Sequence, residues 1–160
     1  MGECLLLPFC LMKPAISIVI PAYEEQDRLG ETLRQILHFI EVQKLSAELI
    51  VVDDGSKDTT AEVGRSVCAE FPEIATTILR YETNRGKGYA VKTGLLAANA
   101  EIAVFSDADL STPIEELEKI VAPIRDGEID VAFGSRALDR TLIGTHQPWQ
   151  REQGGKVMNF

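Results

Sequence analysis

The triplet Asp107-Ala108-Asp109 follows the run Glu101–Phe105 and stands just ahead of Thr112-Pro113-Ile114-Glu115. In an extended segment side chains alternate, so carboxylates two positions apart fall on one side. Hard oxygen ligands at that spacing suit Mg²⁺ or Mn²⁺, with substrate phosphates completing the coordination. Without a cation the two carboxylates would repel an incoming diphosphate. The complement is Asn84-Arg85-Gly86-Lys87-Gly88, where two cations flank glycine at an expected helix N-terminus. Backbone N–H groups and the helix dipole favour anions there. The segment has neither Walker A spacing nor a full GxGxxG. Asp53-Asp54-Gly55-Ser56 offers acceptors for a nucleobase imide or for ribose hydroxyls. The same residues equally suit an Asx turn and helix cap. Tyr23, in Pro21-Ala22-Tyr23-Glu24-Glu25, could cover a base face or be a part-buried aromatic with no such role. Arg136 closes Gly134-Ser135-Arg136.

Alternating elements must position these groups. Ile16–Ile20 is a short β-branched run closed by Pro21, which reads as a buried strand. Leu29, Leu33, Ile36, Leu37 and Ile40 recur at helical spacing. Glu48–Val52 predicts a second buried strand, and a helix is expected from about Asp58 to Glu70, stopped by Pro72. Thr76–Glu82 predicts a third strand, Gly88–Asn99 an Ala-rich helix, and Glu101–Phe105 a fourth strand. Thr112-Pro113-Ile114-Glu115 reads as a capping box with proline at the first helical position, opening a helix to about Arg125. Ile129–Phe133 predicts a fifth strand. Residues 137–153 are polar and without period, a long loop or tail.

Strands alternating with helices predict an α/β fold, a Rossmann-like, mostly parallel sheet flanked by helices. Ligands of such sheets sit beyond the carboxyl ends of the strands. Each of the motifs above follows a strand, so all five are expected at one edge. A phosphoacceptor receiver domain also combines paired aspartates with a lysine, but there the pair follows the first strand. Here the first strand ends in Pro21 and the pair follows the second.

Net charge is −9 over 160 residues, which argues against nucleic acid as a partner. Cys4, Cys10 and Cys68 form no CxxC pair, so neither a zinc site nor a disulfide framework is expected, and a reduced cytoplasmic compartment is the simpler reading. No apolar run reaches 18 residues. Residues 1–12 are an apolar extension interrupted by Glu3 and Pro8, expected to be loosely packed, with weak peripheral membrane contact as the alternative. Met12-Lys13-Pro14 directly before a strand resembles a natural start, so the first eleven residues are expected to be an upstream mis-start. His38 and His146 have no Cys or His partner at metal spacing and read as structural or solvated. Trp149, near Arg151, is either an apolar anchor or a substrate contact.

Taken in order, Pro21-Ala22-Tyr23-Glu24-Glu25, Val51-Val52-Asp53-Asp54-Gly55-Ser56-Lys57-Asp58, Asn84-Arg85-Gly86-Lys87-Gly88, Asp107-Ala108-Asp109 and Gly134-Ser135-Arg136 resemble the family 2 glycosyltransferases of GT-A fold. Within them the likeness is to the branch acting on dolichyl phosphate. The resemblance runs from about Lys13 to Phe160. It implies that Pro21, Tyr23, Glu25, Asp53 and Asp54 hold the nucleoside and that Lys87 supports the nucleotide site. It places Asp107, Ala108 and Asp109 at the donor, with Asp109 and Asp107 at the metal, and Arg136 and Arg151 near the donor diphosphate and the acceptor phosphate. Mannosyltransferase relatives carry a glutamine where this chain has Ser111, a weaker ligand. The implied reaction moves a hexose, from UDP-glucose or alternatively GDP-mannose, to a polyprenyl phosphate, with inversion and a divalent metal. Residues 13–136 would form the nucleotide-sugar-binding region, and 137–160 the truncated start of an acceptor region. A non-catalytic sugar-nucleotide-binding fragment and a transferase using another acceptor, such as a polysaccharide, remain alternatives.

Overall fold

A computed structural model describes residues 13–134. The strands are β1 (Ile16–Ala22), β2 (Ala47–Asp53), β3 (Ala75–Arg80) and β4 (Ile102–Phe105). They pair in parallel in the order β3-β2-β1-β4. The helices are α1 (Leu29–Gln43), α2 (Thr60–Ala69), α3 (Lys87–Ala97) and α4 (Leu117–Arg125), the last preceded by a 3₁₀ turn at Ile114–Glu116.

β1 is buried along its whole length because it lies between β2 and β4 and is covered on both faces. Its alternation decides which residue meets which layer. Ile18 and Ile20, with Leu49 and Val51 of β2, join Leu29, Leu33, Ile36, Leu37 and Ile40 of α1, Val67 of α2 and Val121 of α4 in the larger core. Val19, with Ile50 and Val52, faces the other way and packs on Ala90 of α3. α3 approaches closely because Gly94 has no side chain: a Cβ there would lie 2.2 Å from Val19 Cγ1.

A buried polar cluster ties the amino ends of the strands. Ser17 Oγ donates to Glu48 Oε1 at 2.5 Å, and Asn99 donates to the same carboxylate through its backbone N–H at 2.7 Å and its Nδ2 at 3.1 Å. Burial alone pushes the Glu48 carboxyl up, but these bonds and one from the Ala100 amide more than offset it, so the group sits below its ordinary range.

Two expectations are corrected. Ile129–Phe133 forms no strand, and Ile129, Val131 and Phe133 are exposed. The amides of Glu128 and Ile129 instead donate back to the Pro123 carbonyl at 3.0 and 3.4 Å, and Gly127 turns the chain with φ +73°. Those N–H groups are therefore not available to a sheet neighbour, and β propensity without a paired edge makes no strand. The capping box at Thr112–Glu115 does not form either, because the helical segment begins one residue later than the motif requires. Pro113 then holds the N-cap position of the 3₁₀ turn, and no side chain caps it. Proline offers neither a side-chain acceptor nor an N–H for a reciprocal glutamate.

Candidate active site

The carboxyl ends of β1, β2 and β4 and the amino end of α3 enclose a cleft of about 300 Å³. The cleft is built from the loops that leave these strands, and each loop is held by the next.

The loop after β1 carries Pro21, Tyr23 and Glu25 to the cleft wall. Its turn puts Glu24 at φ +53°, a left-handed conformation for a side-chain-bearing residue. Three amides exposed by that turn find acceptors at the start of α2. Glu24 N–H donates to Ser56 Oγ at 2.9 Å, Glu25 N–H to Thr60 Oγ1 at 2.9 Å, and Gln26 N–H to Asp58 Oδ2 at 3.4 Å. Tyr23 is 41% exposed, and the negative charge of Glu24 raises its phenol pKa above the ordinary value. Glu25 binds Arg28 in a fork of two hydrogen bonds, 2.9 and 3.0 Å.

The two aspartates after β2 part company. Asp54 lines the cleft, and its two carboxylate oxygens accept the backbone N–H groups of Arg85 and Gly86, each at 2.8 Å. Asp53 is fully buried and does not line the cleft. Its Oδ1 accepts the Ser56 N–H at 2.9 Å, and its Oδ2 lies 3.2 Å from Arg80 Nε on β3. Asp53 and Asp54 are expected to hold the nucleoside together; the structure puts Asp54 in the cleft wall and Asp53 directly behind it. As the last residue of β2, Asp53 points opposite to its neighbour and closes an Asx turn. Gly55, at φ +74°, lets the loop after β3 pass so close that a Cβ would sit 2.7 Å from Asn84 N and from Thr83 C. Asp54 and Gly55 thus hold the Thr83–Gly86 segment from two sides.

That hold sets the start of α3. Gly86 adopts φ +91° and Lys87 opens the helix. Lys87 Nζ reaches across the cleft to Asp107 Oδ1 at 2.6 Å. Behind the loop, Tyr81 and Tyr89 meet edge to face with ring centres 5.5 Å apart, and the Arg85 guanidinium lies 4.0 Å from the Tyr89 ring centre. Burial, with the neighbouring Asp54 carboxylate, raises the Tyr81 phenol pKa.

After β4, Asp107, Ala108 and Asp109 form a turn in which the Leu110 N–H donates to the Asp107 carbonyl at 3.1 Å. Leu110 takes φ +45°. Asp107 and Asp109 both line the cleft. Ser111 donates to Asp109 Oδ1 through its backbone N–H at 2.9 Å and its hydroxyl at 2.8 Å. The hydroxyl bond is the largest influence holding the Asp109 carboxyl below its ordinary range. Among the described residues Asp109 Oδ2 accepts no hydrogen bond, and no three His, Cys, Asp or Glu side chains gather around one point. This donor set fits a hard divalent cation that takes one or two carboxylates and completes its coordination with phosphate oxygens, and it does not form an all-protein cage.

The structure therefore brings Pro21, Tyr23, Glu25, Asp54, Lys87, Asp107, Ala108 and Asp109 to one cleft. Arg136, Arg151, His146 and Trp149 lie outside the described residues. His38 is exposed on α1, near Glu41, and does not line the cleft. Sequence reasoning did not single out Thr60 or Asp58, which hold the Tyr23 loop. The signal was present in the Ser-Lys-Asp-Thr-Thr run, rich in the side chains that accept backbone N–H groups near helix starts.

The chain is similar to known proteins. Residues 17–153 match Glycosyl transferase family 2. A dolichyl-phosphate beta-glucosyltransferase of Dictyostelium discoideum is 35% identical over 138 residues, covering 80% of this chain and 42% of its own length. A dolichol-phosphate mannosyltransferase of Pyrococcus furiosus is 32% identical over 145 residues, covering 91% of this chain and 36% of that protein. Among solved structures, the mannosyltransferase PcManGT from Pyrobaculum calidifontis, in complex with GDP-Man and Mn²⁺, superposes with a TM-score of 0.55 at 31% identity. That match covers 62% of this chain and 28% of the other. The chain thus spans about two fifths of the length of the glucosyltransferase and less of the other two. With the parallel sheet, the carboxyl-edge cleft and the family match over residues 17–153 in agreement, the chain belongs to glycosyl transferase family 2.

Proposed function

We propose that the protein carrying this chain transfers a hexose from UDP-glucose to a polyprenyl phosphate of the dolichyl type, with inversion, and that this chain supplies the donor half of the site. The observation that carries the reading is the single cleft in which Asp54, Lys87, Asp107 and Asp109 meet. The name of the glucosyltransferase relative supports a glucosyl group as the one transferred and dolichyl phosphate as the acceptor. GDP-mannose is a second reading of the donor, favoured by the mannosyltransferase relative and by the GDP-Man in the superposed structure.

In this reading Pro21, Tyr23, Glu25 and Asp54 receive the nucleoside. Asp53 acts behind them by fixing the turn that presents Asp54. Lys87, at a helix N-terminus beside the Gly86 turn, meets the diphosphate. Asp107 and Asp109 would hold Mg²⁺ or Mn²⁺; Mn²⁺ has support from the superposed mannosyltransferase. When bound, the cation supplies positive charge that offsets the diphosphate as it leaves. The chain's own contribution is electrostatic. Lys87 carries a fixed cation toward the leaving group, and the clamp at Asp54 keeps that cation in place before substrate arrives. By the family resemblance, Arg136 and Arg151 would serve the donor diphosphate and the acceptor phosphate. A phosphate acceptor needs no deprotonation by a carboxylate, since phosphomonoesters have a second pKa of about 6. Residues 13–136 then constitute the nucleotide-sugar-binding region and 137–160 the opening of the acceptor region. A polyprenyl acceptor would bring the protein to the cytoplasmic face of a membrane as a peripheral partner; no helix of the described residues is long and apolar enough to cross one.

The test is calorimetry of UDP-glucose, GDP-mannose and UDP-N-acetylglucosamine with the chain, each with and without Mn²⁺ or Mg²⁺. UDP-glucose should bind most tightly, and only weakly without metal. Asp109→Ala should remove the dependence on metal. Metal-independent binding by the unsubstituted chain, or no nucleotide binding at all, would overturn the site. Turnover of labelled UDP-glucose with polyprenyl phosphate by the full-length protein separates a transferase from a binding remnant.

A further inference from the structure

Thr32 sits in the first turn of α1 on its buried face, among Leu29, Leu33 and Ile36, and is 6% exposed. A hydroxyl placed there must find an acceptor. Within a helix the usual choice is the carbonyl one turn back, at Arg28. Instead, Thr32 Oγ1 donates to the carbonyl of Ala108 at 2.6 Å, a buried bond between residues 76 positions apart. Ala108 is the residue between the two cleft aspartates, and its own side chain is packed in the core at 6% exposure.

The turn at 107–110 has few other restraints. β4 is short and is paired by β1 only as far as Phe105. Beyond it Ser106 N–H still donates to Val19 O at 3.0 Å, and the turn then closes on itself through the Leu110 amide. The Ser111 bonds to Asp109 are local and exposed. The bond from Thr32 therefore fixes the peptide plane that follows Ala108, and with it the direction in which Asp107 and Asp109 leave the chain on either side.

We propose that Thr32 is a positioning residue for the cation site: its hydroxyl orients the Asp107–Asp109 turn from behind, without touching metal or substrate. This rests on the reading of Asp107 and Asp109 as metal ligands. Thr32→Val keeps the shape and removes the donor, leaving a buried carbonyl unpaired. Thr32→Ser keeps the donor. Calorimetry of Mn²⁺ binding with saturating UDP, and of UDP binding without metal, is made on the chain and both variants. Hydrogen exchange at the Leu110 and Ser111 amides is followed alongside. Thr32→Val should weaken Mn²⁺ binding by about tenfold or more and speed exchange at both amides, while metal-free UDP binding stays within about twofold. Thr32→Ser should restore the metal affinity. If Thr32→Val does not fold, the smaller Thr32→Ala carries the same comparison.

Equal Mn²⁺ affinity in the chain and in a folded donor-less variant overturns the role of Thr32 and leaves the proposed function standing. Parallel loss of metal and metal-free UDP binding overturns it as well, since that is a general loosening of the fold. Failure of the unsubstituted chain to bind Mn²⁺ overturns both readings together.

Discussion

Gly94→Ala is a sensitive probe of how this fold builds its site. In an ordinary helix interior the change is favourable, by about 1 kcal/mol, because alanine is the better helix former. Here the new methyl would stand 2.2 Å from Val19 Cγ1, 3.3 Å from Val19 Cγ2 and 3.1 Å from Val52 Cγ2. Carbon atoms settle at about 3.5–4.0 Å, so α3 would have to retreat from the sheet by about an ångström. Val19 cannot yield, since it is β-branched and fully buried in the central strand. Overpacking of this kind costs about 1–3 kcal/mol, occasionally more, and with both Val19 methyls and Val52 obstructed the upper end applies. The clash therefore wins over propensity, leaving a net loss of about 1–2 kcal/mol. At about 2–4 °C per kcal/mol for a chain of this size, Tm should fall by about 2–8 °C in differential scanning calorimetry. A functional consequence follows from position: α3 begins at Lys87, so the same retreat draws Lys87 away from Asp107 and should weaken nucleotide binding. The double variant Val19→Ala/Gly94→Ala should recover part of both losses, because the two sites touch and are not additive. A Gly94→Ala protein as stable as its parent, or a cycle with no coupling, would refute the helix–sheet contact on which the argument stands.

Gly55→Ala should be at least as damaging, since it puts a side chain at φ +74°, about 1–2 kcal/mol by itself, against backbone atoms that have no rotamer escape. Nucleotide affinity should drop with Tm, measured by calorimetry and thermal unfolding; retention of both would show that the Thr83–Gly86 segment is not held there. Glu48 supplies a pH signature. Its folded pKa is depressed, so the unfolded state, with a carboxyl near about 4.3, binds more protons as the solution is acidified. The stabilisation is complete above that value and is lost as pH falls through the lower folded pKa. Glu48→Gln should lower stability at neutral pH and flatten the acid limb of a urea-unfolding series as pH falls below the ordinary carboxyl value of about 4.3; an unchanged limb would contradict the assignment.

Much of this organisation is legible in the chain before any folding is considered. β-branched runs at 16–20 and 48–52 lie between helical periodicities, and such alternation admits few arrangements other than a covered parallel sheet. All of the first four observed strands were expected, each within a few residues. Parallel strands share a carboxyl edge, so motifs that follow β1, β2, β3 and β4 must gather there. This is why Tyr23, Asp54, Lys87 and Asp109 could be grouped from spacing alone.

Other features depended on neighbours that no local pattern names. Asp53 and Asp54 are chemically equal in the sequence and both are buried; Asp54 lines the cleft while Asp53 turns the other way, where Arg80 on β3 receives it. Whether Ile129–Phe133 becomes a strand turns on whether its amides meet a sheet edge, and here its first amide, that of Ile129, bonds back to Pro123 of α4. Thr32 and Ala108, or Ser17, Glu48 and Asn99, are brought together only by the packing of α1 and the strand order β3-β2-β1-β4. Composition and spacing determine which elements form and which end of the sheet is polar, because those are properties of single segments. The direction of each carboxylate within the cleft was decided by tertiary contact, because a side chain's aim is set by the partner across the gap.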